Sequence, residues 1–349
     1  MSRNRVTRKM SRGVLAAVAA ATAATLTLSA CGTSSSATPS GPGDAPADLV
    51  QAAQKEKTVT LYTADPQNVA QAVADAFQQK YGIEVRFVRL PSSQLEQRYA
   101  SEAQTGKINA DLIFDAGVEV FGGQTAIPKG WGEPIEQANL PALAAFPKEW
   151  VKNGTAISEI QPWVIAYNTD KIKADAVPQT FQDVVKVAGQ GQVILPDPRA
   201  ADAYVQFWEL MDTSYGDAFL QQYKNTSRVY ASGAPASAAL AAGDEAVMAP
   251  TTAAAVNDVV QTGAPVKVVT PQLTSGAELG VMLTTESKAQ HPNAAKLLAN
   301  YLISPEGSAV IAKAGGSVSV YDKSHLPAQY TSPKPLQNKA KVLSLLGLS

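Results

Sequence analysis

Side chains able to do covalent, acid–base or metal chemistry are sparse or unpatterned in this chain of 349 residues. Its two histidines, His291 and His325, have no neighbour at a metal-ligand spacing. No nucleophile elbow, phosphate-binding lysine loop or zinc-protease motif occurs. The 30 Asp and Glu residues form pairs by chance, so no general acid stands out. The sequence therefore predicts no catalytic site, no metal site and no cofactor.

The only cysteine, Cys31, is the exception. Five basic residues between positions 3 and 12 precede an uncharged apolar stretch, 14–28, which leads into Leu28-Ser29-Ala30-Cys31. This order is that of a secretory signal cut before the cysteine, and the motif resembles a bacterial lipobox. An ordinary signal peptide or an uncleaved helix is the alternative, but the stretch is shorter than the roughly 20 residues of a membrane span. We expect residues 1–30 to be removed and the Cys31 thiolate to accept a diacylglyceryl group.

Composition agrees with an exported, lipid-anchored protein. If the anchor uses the only thiol, no disulfide supports the fold, and the 319 residues after the signal must rely on their core. The net charge of −1 becomes about −6 without the basic signal, which gives no electrostatic footprint for nucleic acid or anionic lipid. Residues 32–46 are rich in Gly, Ser, Pro and Thr and predict a flexible tether.

The first part of the folded body, from about Ala47, has the pattern of parallel βαβ units. An apolar run at 59–62 predicts a strand, and apolar residues at helical spacing over 69–77 predict a helix that ends at Gly82. Residues 83–87 alternate as in a strand. Ser93 and Glu96 form a capping-box pair that would open the next helix, and 110–114 is the third strand.

A second set of elements follows. The stretch 157–167 is apolar, and Thr180 and Asp183 open a helix after Pro178. Short strands are predicted at 193–195, 229–230, 246–249 and 266–269, and helices at 202–211, 235–242, 251–260, 292–303 and 305–314. Periodicity does not say which strands share a sheet. The pattern indicates an α/β protein with two lobes.

Several segments resemble those of solute-binding proteins of ABC importers. The likeness is carried, in order, by VTLYTADPQNVAQAVADAFQQKYGIEVRFV, SSQLEQRYASEAQTGKINADLIFDAG, PWVIAYNTDKI, VYASGAPASAALAAGDEAVMAP and HPNAAKLLANYLISPEGSAVIAKAGG. Together they cover most of the folded body. The chain is similar to the branch of this superfamily that binds iron(III), aminoethylphosphonate, thiamine and polyamines.

The resemblance implies an α/β, two-lobed type 2 periplasmic-binding-protein fold with a ligand cleft between the lobes. It places lobe 1 at about 55–158 plus 268–325, lobe 2 at 159–267, and a C-terminal tail at 326–349. It also implies the partners: a small-molecule solute, an ABC permease and its ATPase. The protein would be a monomer that meets the membrane only through its lipid, outside the cytoplasm, and would not be an enzyme.

Loops that directly follow strands supply the candidate ligand residues, because strand ends and helix N-termini face one crevice in such folds. Arg199 is the candidate for holding a carboxylate or phosphate. Asp65, Asp115 or Asp202 would meet a positive group of a zwitterionic solute. For each of these residues, helix capping or solvent contact is the alternative. The full set of candidates is Tyr62, Thr63, Asp65, Asp115, Gly117, Arg199, Asp202, Ser232, Gly233, Thr251 and Thr252; Trp131 and Trp163 line either the cleft or the core.

The sequence departs from the pattern of ferric-binding relatives. Those proteins hold iron with two adjacent tyrosines in the loop that here contains Thr251 and Thr252. A trivalent cation prefers anionic oxygen donors, which threonine does not supply. We therefore predict a small polar solute, anionic or zwitterionic, ahead of iron(III).

Three functions remain open at this point. The leading one is the lipid-anchored, solute-capturing subunit of an importer. A solute-sensing receptor subunit on the same fold is the second, and neighbouring permease and ATPase genes would favour import over it. An enzyme built on the same lobes is the third, and it would need a nucleophile paired with a base in the cleft.

Overall fold

Two mixed β-sheets flanked by helices form the chain in the computed structural model, which describes residues 43–187, 189 and 191–348. The predicted signal peptide, Cys31 and the tether up to residue 42 lie outside these residues. The α-helices are α1 Ala47–Glu56, α2 Gln67–Tyr81, α3 Ser92–Gln104, α4 Val118–Phe121, α5 Phe181–Val187, α6 Asp202–Tyr215, α7 Asp217–Thr226, α8 Gly233–Ala242, α9 Ala253–Gln261, α10 Pro292–Leu302, α11 Pro305–Gly315 and α12 Lys339–Leu345. The strands are β1 Thr58–Thr63, β2 Glu84–Arg89, β3 Leu112–Asp115, β4 Gly132–Glu133, β5 Val151–Lys152, β6 Thr155–Pro162, β7 Val164–Asn168, β8 Val193–Pro196, β9 Ser227–Tyr230, β10 Val247–Thr251, β11 Val266–Val269, β12 Leu273–Thr274, β13 Gly276–Thr284, β14 Val318–Ser319 and β15 Gln329–Tyr330.

The first sheet has the order β14-β6-β13-β3-β1-β2, with β4 beside β13 and β5 beside β6. β1 lies parallel to β2 and to β3, as the βαβ pattern predicts. β13 lies antiparallel between β3 and β6, so the sheet is mixed. The sequence pattern missed β13 because every one of its residues is buried, which removes the alternation of polar and apolar residues that marks a half-exposed strand.

The second sheet has the order β11-β7-β10-β8-β9. The single apolar stretch 157–167 is divided between the sheets, because β6 belongs to the first and β7 to the second. Trp163 lies at the crossing, where its backbone N–H donates to the carbonyl of Ser275 (2.9 Å) and its carbonyl accepts from the Thr274 hydroxyl (2.9 Å). The fold is therefore α/β with two lobes, joined where the chain passes between the sheets.

The two helix starts predicted from capping residues behave differently. Thr180 and Asp183 do form a capping box, in which the Asp183 N–H donates to Thr180 Oγ1 (3.2 Å) and the Thr180 N–H to Asp183 Oδ2 (3.0 Å). The box predicted for Ser93 and Glu96 is wrong, since α3 begins at Ser92 after Pro91 and has no side-chain cap. The Glu96 carboxyl group lies instead against Gly117 in the tertiary structure.

The C-terminal segment is part of the folded body. α12 packs on α6 and α7, and the side chains of Val342 and Leu346 are buried. Lys341 pairs with Asp212 and with Asp217, at 2.7 Å each. Among residues 43–187, 189 and 191–348, no helix has both the length and the apolar character to cross a membrane.

Candidate functional site

A cavity of about 300 Å³ lies where strands of both sheets end. From the first sheet, its walls are the loops after β1, β2 and β3. The second sheet contributes the loops after β8, β9 and β10. The segment that crosses between the sheets completes the walls. This is the crevice at the carboxyl ends of strands where α/β proteins bind ligands. Residues in its lining include Asp65, Pro66, Arg89, Pro91, Ser92, Gln161, Trp163, Asp197, Ala201, Tyr204, Ser232, Gly233 and Thr252.

Five helices begin at the wall of this cavity. Their N-cap residues are Pro66 of α2, Pro91 of α3, Ala201 of α6, Ser232 of α8 and Thr252 of α9. Only the Thr252 side chain accepts a capping hydrogen bond, from the Ala255 N–H at 3.3 Å; the other four N-caps accept none. First-turn N–H groups of a helix have no partner within it, and the dipole makes that end positive. The wall is therefore suited to an anionic group.

Arg89 adds a full positive charge to the same wall. It is the last residue of β2, and its Nε donates to the backbone carbonyl of Asp65 at 2.5 Å. Among the described residues, no carboxylate forms an ion pair with it. Its outer guanidinium nitrogens therefore keep their capacity to bind a carboxylate or phosphate in bidentate fashion.

Two buried carboxyl groups lie at and behind the same wall. Asp65, in the wall, is 2% exposed, and Glu159 behind it is 1% exposed. Gln161 Nε2 donates to Asp65 Oδ1 (2.8 Å) and to Glu159 Oε1 (3.0 Å). Burial and the neighbouring Glu159 raise the pKa of Asp65 well above its ordinary value, and burial raises the pKa of Glu159 to about 6.

The rest of the lining is apolar and made of small residues. Nine of the residues around the cavity are alanines. Trp163 stacks on Tyr204, with ring centroids 4.6 Å apart, and the buried indole N–H of Trp163 has no hydrogen-bond partner among the described residues. Burial raises the pKa of Tyr204 to about 12, so its hydroxyl stays protonated and able to donate. These side chains suit an organic solute with a compact apolar part.

Four of the predicted site residues line the cavity: Asp65, Ser232, Gly233 and Thr252. Three others lie directly behind its wall. The Thr63 hydroxyl accepts from the Asp65 N–H (3.1 Å), and Asp115 accepts from the Ser92 hydroxyl at 2.6 Å. Thr251 is fully buried, and its Oγ1 has no hydrogen-bond partner among the described atoms. Thr63 and Asp115 thereby position Asp65 and Ser92, which line the cavity.

The remaining predicted residues lie elsewhere. Tyr62 belongs to a separate apolar cluster, and its hydroxyl donates to Glu102 at 2.7 Å. Gly117 and Asp202 border a neighbouring hollow, where Asp202 pairs with Lys339 at 2.6 Å. The Arg199 side chain is 54% exposed, and the carboxylate of Asp197 holds its guanidinium at 2.7 Å. Arg199 is therefore not among the cavity residues, and Arg89 is the arginine placed to meet an anion.

The structure adds residues that the sequence analysis did not nominate: Arg89, Ser92, Gln161 and Tyr204. A usable signal existed for Arg89 and Ser92, since both lie within five residues after the second predicted strand, 83–87. Gln161 and Trp163 come from the crossing between sheets, which the uninterrupted apolar stretch concealed. Trp163 is one of two tryptophans considered for the cleft; the other, Trp131, is in the separate apolar cluster.

The comparisons with known proteins agree with this geometry. A family model described as bacterial extracellular solute-binding protein matches residues 72–338, which is more than half of the chain. The chain belongs to this family. It is a solute-binding protein that acts outside the cytoplasm, and not an enzyme. The resemblance found in the sequence is thus confirmed, and the two lobes are the expected fold. No curated protein sequence matches the chain.

Solved structures share the fold of this solute-binding protein at low sequence identity. The substrate-binding protein of an ABC transporter from Agrobacterium tumefaciens is 16% identical, with a TM-score of 0.71 over 83% of this chain and 93% of that one. Iron-bound HitA from Pseudomonas aeruginosa is 18% identical, with a TM-score of 0.63 over 83% and 98%. The sulfate-binding protein SubI from Mycobacterium tuberculosis H37Rv is 19% identical, with a TM-score of 0.60 over 83% and 96%.

The described residues do not form a metal-binding cluster. No group of three or more His, Cys, Asp and Glu side chains among them is arranged to hold a metal ion. Thr252, in the loop where ferric-binding relatives carry tyrosines, faces the cavity with a hydroxyl that caps α9. The wall offers N–H groups, hydroxyls and one guanidinium, which suit an anion, and its two carboxyl groups, Asp65 and Asp197, are not part of a metal-binding cluster among the described residues.

Proposed function

We propose that this protein is the substrate-binding subunit of an ABC importer that captures a compact organic anion or zwitterion and delivers it to a membrane permease. The observation that carries the proposal is the convergence of five helix N-termini and Arg89 on one cavity between the two sheets. The alanine-rich wall and the stacked Trp163–Tyr204 pair favour an organic solute over a small inorganic ion.

Capture requires only a shift between two arrangements of the lobes. We place lobe 1 at about 55–158 plus 268–325 and lobe 2 at 159–267, as the resemblance implies. A solute in the cavity touches loops of both sheets at once, so it would bind the closed arrangement better than the open one. A permease and its ATPase would then recognise the closed monomer. A solute-sensing receptor would also recognise the closed form. Transport of the bound solute by the permease would distinguish import from sensing.

The identity of the solute can be tested on protein purified from its native host without refolding. Native mass spectrometry is expected to show one bound organic molecule with a carboxylate, phosphate or phosphonate group. The same protein mixed with ferric citrate is expected to stay colourless. Tyr204 is the one tyrosine among the residues that line the cavity, and burial raises its pKa to about 12, so it does not supply the tyrosinate that a visible charge-transfer complex needs.

A stable red or orange complex with one iron per chain would contradict the proposal in favour of an iron(III)-binding lipoprotein. Release of a neutral sugar or of a cation without an acidic group would also contradict it. Either result would remove the role given to the helix N-termini and Arg89.

Lipid anchoring at Cys31 is the second part of the proposed function, and it rests on the Leu28-Ser29-Ala30-Cys31 motif after an apolar stretch. In a bacterial host, Cys31→Ser is expected to abolish labelling by a radioactive fatty acid and to release the protein from membranes. Ser29→Thr, which leaves the thiol in place, is the matched control and is expected to stay labelled. A Cys31→Ser protein that remains with membranes after a salt wash would contradict the anchor.

A further inference from the structure

A hollow of about 170 Å³ adjoins the ligand cavity between the two lobes. Ala116 and Ala203 line both spaces. α3 and α4 of lobe 1 form one side of the hollow, and the start of α6 of lobe 2 forms the other. A movement that parts the lobes would therefore open this hollow to water.

Four carboxyl groups line the hollow, those of Glu96, Glu119, Asp202 and Glu278. The donors to three of them are Lys339 for Asp202 (2.6 Å), Lys152 for Glu278 (3.0 Å) and Asn153 for Glu119 (3.1 Å). Glu96 differs, because among the described residues it has neither a hydrogen-bond donor nor an ion-pair partner. A carboxylate without a partner is unfavourable away from water. The Glu96 side chain therefore fits the hollow in its neutral form.

Glu96 also lies against a buried carboxyl group of its own lobe. A Cβ on Gly117 would overlap Glu96 Oε1 and would lie 3.1 Å from Asp115 Oδ2, so both oxygens meet at this glycine. Asp115 is fully buried, and it accepts hydrogen bonds from the Ser92 hydroxyl (2.6 Å) and the Gly117 N–H (2.9 Å). These donors stabilise the charged form of Asp115 and leave none for Glu96.

Part of this environment of Glu96 comes from lobe 2. α3 packs on the turn Pro198–Ala200, which directly precedes α6. Burial first, and then the charges of Asp115 and Asp202, raise the pKa of Glu96 to about 8, while the charge of Lys339 lowers it. The charged groups around the hollow are Asp115 at the end of β3, Glu119 of α4, Asp202 of α6, Glu278 of β13 and Lys339 of α12.

We propose that contact between the lobes at this hollow requires a proton on Glu96, so that the lobes close with uptake of a proton and part more readily in alkaline surroundings. The inference rests on the proposed function and concerns how capture is regulated. Glu96 is a neutral carboxylic acid while the lobes touch. When they part, water reaches Glu96, Asp202 moves away, and the proton passes to the solvent.

The sign of the pH dependence follows from the raised pKa. Glu96 favours contact between the lobes fully below about pH 4.5, where it is protonated in both arrangements. This contribution is lost as the pH rises towards 8, because the parted arrangement then gains the charged form. Between these limits, closure of the lobes takes up a proton.

The test is single-molecule energy transfer between two dyes, one on each lobe, in protein freed of its solute. The dyes are attached to Gln79→Cys in α2 and Gln221→Cys in α7, both exposed, in a Cys31→Ser background. The ratio of touching to parted molecules is expected to be at least tenfold lower at pH 9 than at pH 6. Circular dichroism at both pH values checks that the protein stays folded.

Two variants separate Glu96 from the other titrating groups. Glu96→Gln keeps the shape of the side chain and needs no proton, so its ratio is expected to change less than threefold between pH 6 and pH 9. Glu84→Gln is the matched control, because Glu84 is exposed on β2 and pairs with Arg86. That variant is expected to keep the full tenfold change.

Two results would overturn the inference. One is an energy transfer in the unaltered protein that is the same at pH 6 and pH 9. The other is an equal change in Glu96→Gln, which would assign the pH dependence to other groups. Both results would leave solute capture by the cavity intact, since the proposed function is tested separately by the identity of the bound solute.

Discussion

Replacing Arg89 with alanine is expected to weaken binding of the co-purified solute at least thirtyfold. The Arg89 side chain lines a cavity of about 300 Å³ and has no carboxylate partner of its own among the described residues. Truncating one side of a desolvated charged contact costs roughly 2–5 kcal/mol of binding, and a thirtyfold loss is about 2 kcal/mol. The measurement is the dissociation constant from titration calorimetry, together with the melting temperature of the empty protein.

Arg199→Ala is the matched control, because it removes a side chain of the same type from a nearby loop that borders the cavity. Its guanidinium is exposed and already paired with Asp197. Exposed pairs contribute about 0–1 kcal/mol to stability, and this arginine is not among the cavity residues. The dissociation constant of the Arg199→Ala variant for the solute is expected to stay within threefold of that of the unaltered protein. Equal losses in the two variants, or none in Arg89→Ala, would show that Arg89 does not bind the solute.

The second large effect is expected in the pH dependence of stability, and its origin is Glu96. Burial raises the pKa of Glu96 to about 8, with further contributions from the charges of Asp115 and Asp202. Its carboxyl group lies against Gly117, beside the hollow between α3 and the start of α6. The folded protein therefore holds a proton on Glu96 that the unfolded chain releases near pH 4.5.

The sign of the effect follows from this difference. Glu96 stabilises the fold fully below about pH 4.5, and this contribution is lost as the pH rises towards 8. Each unit of pKa difference corresponds to 1.36 kcal/mol; after a discount for the water that reaches the hollow, about 2 kcal/mol remains. Glu96→Gln, which keeps the shape and needs no proton, is expected to be more stable than the unaltered protein by this amount at pH 9. At pH 4 the two should be equal.

Urea unfolding at pH 4, 7 and 9 checks this expectation. Glu84→Gln is the control, because Glu84 is exposed and its hydrogen bond with Arg86 lowers the pKa of the carboxyl group. That variant is expected to keep the full loss of stability between pH 4 and pH 9. Asp65, Asp115 and Glu159 have raised pKa values and add to the same loss in every variant. An identical pH profile in Glu96→Gln would contradict the assignment to Glu96.

Local sequence patterns predicted those elements whose stability is local. The helix over 69–77 is present as α2 and ends at Gly82 in the left-handed conformation, with φ of 71°. The Thr180–Asp183 capping box is present because both partners are on the surface, with no tertiary contact competing for them. The Ser93–Glu96 box is absent because Glu96 is drawn into the contact with Gly117.

The sequence could predict which loops form the candidate site, but not which of their side chains face the cavity. The rule that polar residues after strands meet at one crevice placed Asp65, Ser232, Gly233 and Thr252 in the cavity wall. The same rule cannot tell a residue in the wall from one behind it, such as Thr63 or Thr251, because that depends on the direction of each side chain. It also led to Arg199, whose charge is neutralised by Asp197 two residues earlier in the chain.

The sequence by itself determined that this chain carries an export signal pattern, that it folds as an α/β protein with two lobes, and that it belongs among solute-binding proteins. The signal pattern and the α/β pattern follow from composition and apolar periodicity, and the family follows from the resemblance of successive segments to those of solute-binding proteins. Only the tertiary structure decided that Arg89, Asp65 and five helix N-termini share one cavity. The physical reason is that these groups, spread between residues 65 and 255, meet only when two sheets bring their strand ends together.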